Sequence, residues 1–206
     1  NGFKKGITMD TKEVNSASIP LIISDGCCVH FGKAPALESV NFSIDKGKKV
    51  AVVGPNGGGK STLFNAIAGL VPLTEGSLTI KGKSPEDAKG TVSYVPQKDL
   101  MNWNFPLSVK QVVEMGLTNR NTVSIFSSKK INNKIEKALE SVGLLKKINE
   151  NIKSLSGGQL QRVLIARALA QDSDILLLDE AFSAVDVGAQ EDIMQLINNI
   201  NLDGKT

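Results

Sequence analysis

Histidine and cysteine are almost missing from this chain, which carries one of the first and two of the second in 206 residues. The two cysteines, Cys27 and Cys28, are neighbours. On a strand they would point to opposite faces, so they would not bond each other, and no disulfide framework is available. A reducing cytosol fits that usage. The sole histidine, His30, lies far in sequence from every acidic pair discussed below and reads as a surface or strand residue. Long apolar runs are also lacking. The longest are short, such as Val50–Val53 and Ile175–Leu178, and none approaches the ~18 residues a membrane helix needs. A strong charge of either sign is lacking too. The net charge is +3, and the pairs Lys48/Lys49, Lys129/Lys130 and Lys146/Lys147 are dispersed as solvated faces are, which argues against a nucleic-acid partner. With 41% hydrophobic and 22% charged residues the composition is ordinary globular, enough for one domain or one domain with a lobe.

The opening stretch, NGFKKGITMDTKEVNSAS, has no signal-peptide core and predicts a disordered polar tail over residues 1–18. It begins with Asn1, and Met9 could serve as a native start, so residues 1–8 read as a cloning remnant or the chain as an internal fragment. Residues 21–31 and 36–46 alternate apolar and polar around the turn FGKAP and predict a hairpin. Lys48–Val53 reads as a buried strand, Leu63–Ala68 as a helix stopped by Gly69, and GSLTIKGK and TVSYVPQ as short strands. The character then changes. Ser108 is placed to cap a helix, and Ile131, Ile135, Ala138, Leu139 and Val142 share one helical face. A helical lobe over about 98–158 follows from these signals. A helix over about Gln159–Ala170, a strand at Ile175–Leu178 and an amphipathic stretch at Gln190–Ile200 complete the reading.

The strongest chemical signal is Gly54-Pro55-Asn56-Gly57-Gly58-Gly59-Lys60-Ser61, with Thr62 after it. It matches the phosphate-binding P-loop, with a strand before and a helix after. Glycines let the backbone curl so that several N–H groups face one anion, and the helix N-terminus adds positive potential. Lys60 should reach the β- and γ-phosphates of a nucleotide, Ser61 should sit on Mg²⁺, and Thr62 should add a phosphate contact. A merely flexible glycine turn would not bring the Lys-Ser pair and both flanking elements with it.

The second signal is Ile175-Leu-Leu-Leu-Asp179-Glu180, a buried strand emerging at two acids. Alone, such a strand end is structural as often as functional. After a P-loop it marks the edge that carries the Mg²⁺-directed acid. Asp179 would hold the ion, directly or through water, and Glu180 would be the general base on the attacking water.

The third signal is Leu155-Ser156-Gly157-Gly158-Gln159, with Gln161 and Arg162 following. Ser156 and the amides of Gly157 and Gly158 open a helix, which is a second anion site. This resembles the signature motif of the ABC ATPases, and the resemblance runs from about residue 21 to 206. It implies an α/β fold: a RecA-like P-loop NTPase core with an antiparallel β subdomain and a helical subdomain, over residues 19–206. It also implies that the signature of one subunit closes on the ATP held by the P-loop of a second ATPase subunit. By the same resemblance Gln97 is the glutamine that senses Mg²⁺ and water, and Phe31 is the aromatic that stacks on adenine. Asp186, in Ser183-Ala-Val-Asp186, lies in the D-loop that touches the opposite subunit. Ala181 departs from the proline the family usually has after its catalytic glutamate, which alters stiffness and not chemistry.

Other classes fit less well. A kinase or GTPase would not need the signature, and no guanine-specifying Asn-Lys-x-Asp is suitably placed. Soluble relatives acting on ribosomes or DNA ends carry two cassettes or a long inserted coiled coil, whereas Ser61 to Leu155 leaves room only for a compact lobe. A transporter motor at the cytoplasmic face of the membrane remains, docked on a transmembrane permease and served indirectly by a solute-binding protein. Met101-Asn-Trp103-Asn-Phe105-Pro106 resembles the segment after the Q-loop in zinc/manganese/iron chelate importers, which implies a divalent metal cargo; an importer for another solute is the alternative. Trp103 and Phe105 would serve as interface anchors or cap the lobe's own core. The family also has a switch histidine on a strand shortly after a turn like Gly204-Lys205-Thr206. The chain is therefore expected to be C-terminally truncated, to bind Mg-ATP and to hydrolyse it poorly, with the edge of the Ile175–Leu178 strand left unpaired.

Overall fold

The computed structural model describes residues 8–9, 20–32, 34–97, 106–117, 128–182 and 186–206. Two compact units emerge: Asn1–Val92 with Asn201–Thr206, and Ser93–Ile200.

The first unit is built on an antiparallel hairpin of β2 (Pro20–Phe31) and β3 (Ala34–Asp45), closed by pairing Phe31 with Ala34. β5 (Glu75–Ile80) adds to the other edge of β2, giving the order β3-β2-β5. A bulge interrupts β2 after Ser24. Gly26 sits there at φ 57, and its amide donates to the Asn41 Oδ1 at 2.7 Å. Gly76 packs its Cα so closely on the Gly26 carbonyl that no side chain would fit. Leu21, Ile22, Val29, Leu37, Leu78 and Ile80 are buried, as are both free cysteines.

The stretch read as a buried strand over Lys48–Val53 is shorter than expected. Only β4 (Val52–Val53) forms, paired antiparallel with β1 (Thr8–Met9), and Ala51 and Val53 are exposed. A two-residue partner gives a two-residue ladder, and β-branched composition alone does not extend it. Thr8 and Met9 thus pair inside a segment whose polarity predicted no structure; residues 1–7 and 10–19 lie outside the described residues. α1 (Lys60–Ile67) follows the P-loop and buries Leu63, Ala66 and Ile67 at helical spacing, ending before Gly69 at φ 67. At the far end of the chain, Thr206 Oγ1 accepts from the Gly47 amide at 2.7 Å and Asn201 donates to the Gly47 carbonyl at 2.9 Å.

The second unit holds one apolar core. β6 (Val92–Val95) pairs with β7 (Ile175–Leu178), so β7 has a partner on one edge. α2 (Val109–Glu114) and α3 (Ser128–Ser141) pack on α4 (Gly157–Ala170). Ser108 caps α2 through a reciprocal pair with Gln111, as its position in the sequence implies. Ile135, Ala138, Leu139 and Val142 are buried together, as their spacing predicts, with Ile131 partly so. Two buried serines join the strands to α4. Ser93 Oγ lies 3.0 Å from the Ala168 carbonyl, and the Ser173 hydroxyl is 2.7 Å from Ser93 Oγ. α5 (Val187–Leu202) buries Ile193 and Ile200. Trp103 and Phe105 lie outside the described residues; Pro106 is exposed.

Candidate nucleotide site

In the first unit the P-loop links β4 to α1. The Gly58 amide donates to the Pro55 carbonyl at 3.0 Å, closing a turn. Gly57 and Gly59 have φ of 74 and 90, where a side chain is strained. At Gly59 space is lacking as well: a Cβ would stand 2.5 Å from the Ala36 carbonyl oxygen and 2.9 Å from Leu37 Cδ2. β3 therefore backs the loop directly. Gly59 caps α1 without a side chain. No side-chain oxygen competes there for the first-turn amides, which have no intrahelical acceptor. Such amides, with the helix dipole behind them, are able to bind an anion. The Lys60 ammonium folds over this curl, donating to the Gly54 and Pro55 carbonyls at 3.1 and 2.9 Å. Ser61 is exposed and Thr62 half-buried, one residue further into the helix.

Phe31 ends β2 and is 58% exposed, an unfavourable place for an unpartnered ring and a suitable one for stacking. Its cross-strand partner is Ala34, two residues before the Ala36 that backs Gly59, so hairpin end and P-loop belong to one corner of this unit. The His30 ring is anchored beside it, with Nδ1 2.8 Å from Thr74 Oγ1.

In the second unit the acids stand at the end of β7, where the sequence places them. Asp179 is 3% exposed. Its amide donates to the Val95 carbonyl at 3.0 Å, and its Oδ2 accepts from the Tyr94 hydroxyl at 3.0 Å. Burial first, and the Asp179 charge second, hold the Tyr94 phenol well above its ordinary range, so it stays a donor. Tyr94 escaped the sequence reading because a tyrosine in a short strand carries no motif. Glu180 is exposed and adopts φ 49, a left-handed conformation that is costly for a residue with a Cβ. Such strain concentrates at functional positions. Ala181, the departure noted above, is buried. Gln97 is half-buried, two residues beyond Val95.

The signature residues form a capping box. Ser156 Oγ accepts from the Gln159 amide at 3.3 Å, and the Gln159 side chain accepts from the Ser156 amide at 3.1 Å. Gly157 and Gly158 open this 14-residue helix, so their amides have no intrahelical acceptor. One turn on, Gln161 is buried and its Nε2 has no hydrogen-bond partner among the described residues. Arg162 forms an ion pair with Asp192 of α5. Asp186 caps α5, accepting the Ala189 amide on Oδ1 at 2.9 Å; Ser183 to Val185 lie outside the described residues.

Comparison with known proteins places the chain in a family. The family model described as ABC transporter matches residues 37–183. The manganese transport system ATP-binding protein MntB of Bacillus subtilis is 39% identical over 182 residues, covering 88% of this chain and 73% of that protein. The zinc transport system ATP-binding protein TroB of Treponema pallidum is 37% identical over 93% of this chain and 72% of its own length. Among solved structures, an ABC transporter assigned to the metal-chelate type, in an inward-facing conformation, superposes with a TM-score of 0.79 at 27% identity. It covers 91% of this chain, and the match takes in 71% of that chain. With its P-loop, acid-tipped strand and capped signature helix, the chain belongs to the ABC transporter family, as an ATP-binding subunit that hydrolyses ATP.

Proposed function

We propose that the chain is the ATPase of an importer for divalent transition metal ions, working at the cytoplasmic face of a membrane. The observation that supports the cargo is the company it keeps. Relatives at comparable identity are named for manganese in Bacillus subtilis, zinc in Treponema pallidum and chelated iron in Yersinia pestis. No described helix is long and apolar enough to cross a membrane, and a transmembrane permease would supply that part. A solute-binding protein would deliver the metal to the permease.

The residues divide the chemistry. Phe31 stacks on adenine; Gly54 to Thr62 hold the phosphates, with Lys60 supplying charge. The Ser61 hydroxyl, the Asp179 carboxylate and the Gln97 amide carbonyl are hard oxygen donors, the set Mg²⁺ takes when it is shared with nucleotide phosphates, so the residues fit that ion. When bound, Mg²⁺ would neutralise charge developing on the phosphates. Glu180, exposed at the end of β7, accepts the proton of the attacking water. Ser156, Gly157, Gly158 and Gln159 serve the ATP of a second ATPase subunit, and Asp186 lies where the two copies meet.

Deleting the gene should lower the cell's manganese, zinc or iron content under limitation, read by elemental analysis. An intact metal quota alongside defective uptake of another solute would refute the cargo while leaving the ATPase in place.

A further inference from the structure

We propose that Tyr94 is a positioning residue for Asp179, fixing which carboxylate oxygen is available to the metal ion. The inference rests on the reading of Asp179 as the metal-directed acid. Consecutive residues of β6 grip Asp179 in two ways. The Val95 carbonyl takes its amide at 3.0 Å, and the Tyr94 hydroxyl donates to its Oδ2 at 3.0 Å. Val95 is itself fully buried in the core, so the grip is anchored and not carried on a loop. The backbone bond sets where the side chain starts; the phenol sets how it is turned. An aspartate held only by its backbone can rotate about two bonds and present either oxygen. Here Oδ2 is engaged by the phenol, and Oδ1 is the oxygen that Tyr94 does not take. Oδ1 is the oxygen left for the ion or its water.

In this pair the Tyr94 hydroxyl donates and the carboxylate accepts, so Tyr94 acts as a donor that turns the acid. Its place in the chain matters too. Gln97 is three positions further on, so the residue that holds the acid and the residue that senses the ion lie in one short segment anchored by β6.

Tyr94→Phe keeps the ring and removes only the hydroxyl. Partners of this kind, standing behind a ligating group, tune metal affinity by about tenfold or more. The probe is Mn²⁺, followed by electron paramagnetic resonance on the whole chain saturated with a non-hydrolysable ATP analogue. Tyr94→Phe should weaken Mn²⁺ binding about tenfold, with analogue binding in EDTA unchanged. Unchanged or tighter Mn²⁺ binding would overturn the proposal, the second because it would mean that the phenol only withdraws charge. Asp179→Asn separates the two layers. If it leaves Mn²⁺ affinity intact, Asp179 is not the metal-directed acid and the proposal falls with it. If it weakens Mn²⁺ while Tyr94→Phe does not, only the role of Tyr94 is lost. Combining both substitutions guards against a general loss of packing. Tyr94→Phe should add nothing once Asp179 is an amide, and an undiminished further loss would assign Tyr94 to structure alone.

Discussion

The P-loop and the acid-tipped strand, which we propose serve the same reaction, are built in opposite ways. The P-loop is made of backbone: glycines at positive φ, amides at a helix start, and a lysine lying over its own loop carbonyls. The strand end is made of side chains: a buried aspartate held by a tyrosine, next to an exposed glutamate. A backbone site is intolerant of a side chain where the chain is packed, as at Gly59, and indifferent to most neighbours. A side-chain site tolerates isosteric change in shape and loses function through a single functional group.

The largest effect should come from the side-chain site. Glu180→Gln keeps the shape but cannot take a proton, so turnover should fall by about 10²–10⁴-fold relative to the unsubstituted chain. ATP binding should persist and trap a dimer visible by light scattering. Monomer only, with hydrolysis intact, would show that Glu180 is not the base. At the backbone site Lys60→Ala removes a charge-assisted contact, and ATP affinity should drop about a hundredfold with the fold retained. Titration calorimetry checks this, and unchanged affinity would remove the P-loop from the site.

Gly59→Ala sharpens the comparison, because one methyl group meets both a left-handed φ and the Ala36 carbonyl. A loss of about 2–4 kcal/mol is expected by denaturant titration, accompanied by loss of nucleotide binding. A fully stable, ATP-binding variant would mean that the loop has another conformation within reach. Two serines make a matched pair of caps. Ser108→Ala and Ser156→Ala should each destabilise by about 1 kcal/mol, since both cap boxes are alike. Only Ser156→Ala should also weaken ATP-driven dimerisation. Equal dimerisation in both would reduce the signature serine to a cap.

The smallest effect is alkaline. Burial, opposed by a bond with Ser24, pushes the Cys27 thiol above its ordinary value of 9.0. The folded chain then keeps that proton after the unfolded chain has lost it, so stability is full below about pH 9 and declines as pH rises through the folded value. The fall in Tm between pH 8 and pH 10 should be shallower in Cys27→Ala; an identical slope would leave Cys27 without influence.

The sequence made the chemistry legible because its motifs are contiguous. Gly54 to Thr62, Leu155 to Gln159 and Ile175 to Glu180 each announce both an element and its terminus, and each element is where the motif puts it. The hairpin and the α3 face were legible through period alone. What stayed hidden depends on pairing between distant segments. The extent of β4 is set by Thr8–Met9, and no local propensity in Lys48–Val53 reports that. The bond from Tyr94 to Asp179 spans 85 positions and leaves no periodic trace.

Glu180 at φ 49 also bears on how such a chain would drift. A glycine there would relieve about 1–2 kcal/mol of strain, and an asparagine part of it. Selection for folding alone would thus favour discarding the glutamate, and laboratory evolution for heat resistance without an ATPase screen should return inert but sturdier chains altered at this position. Keeping a carboxylate on a backbone that prefers none is a standing compromise between longevity and work.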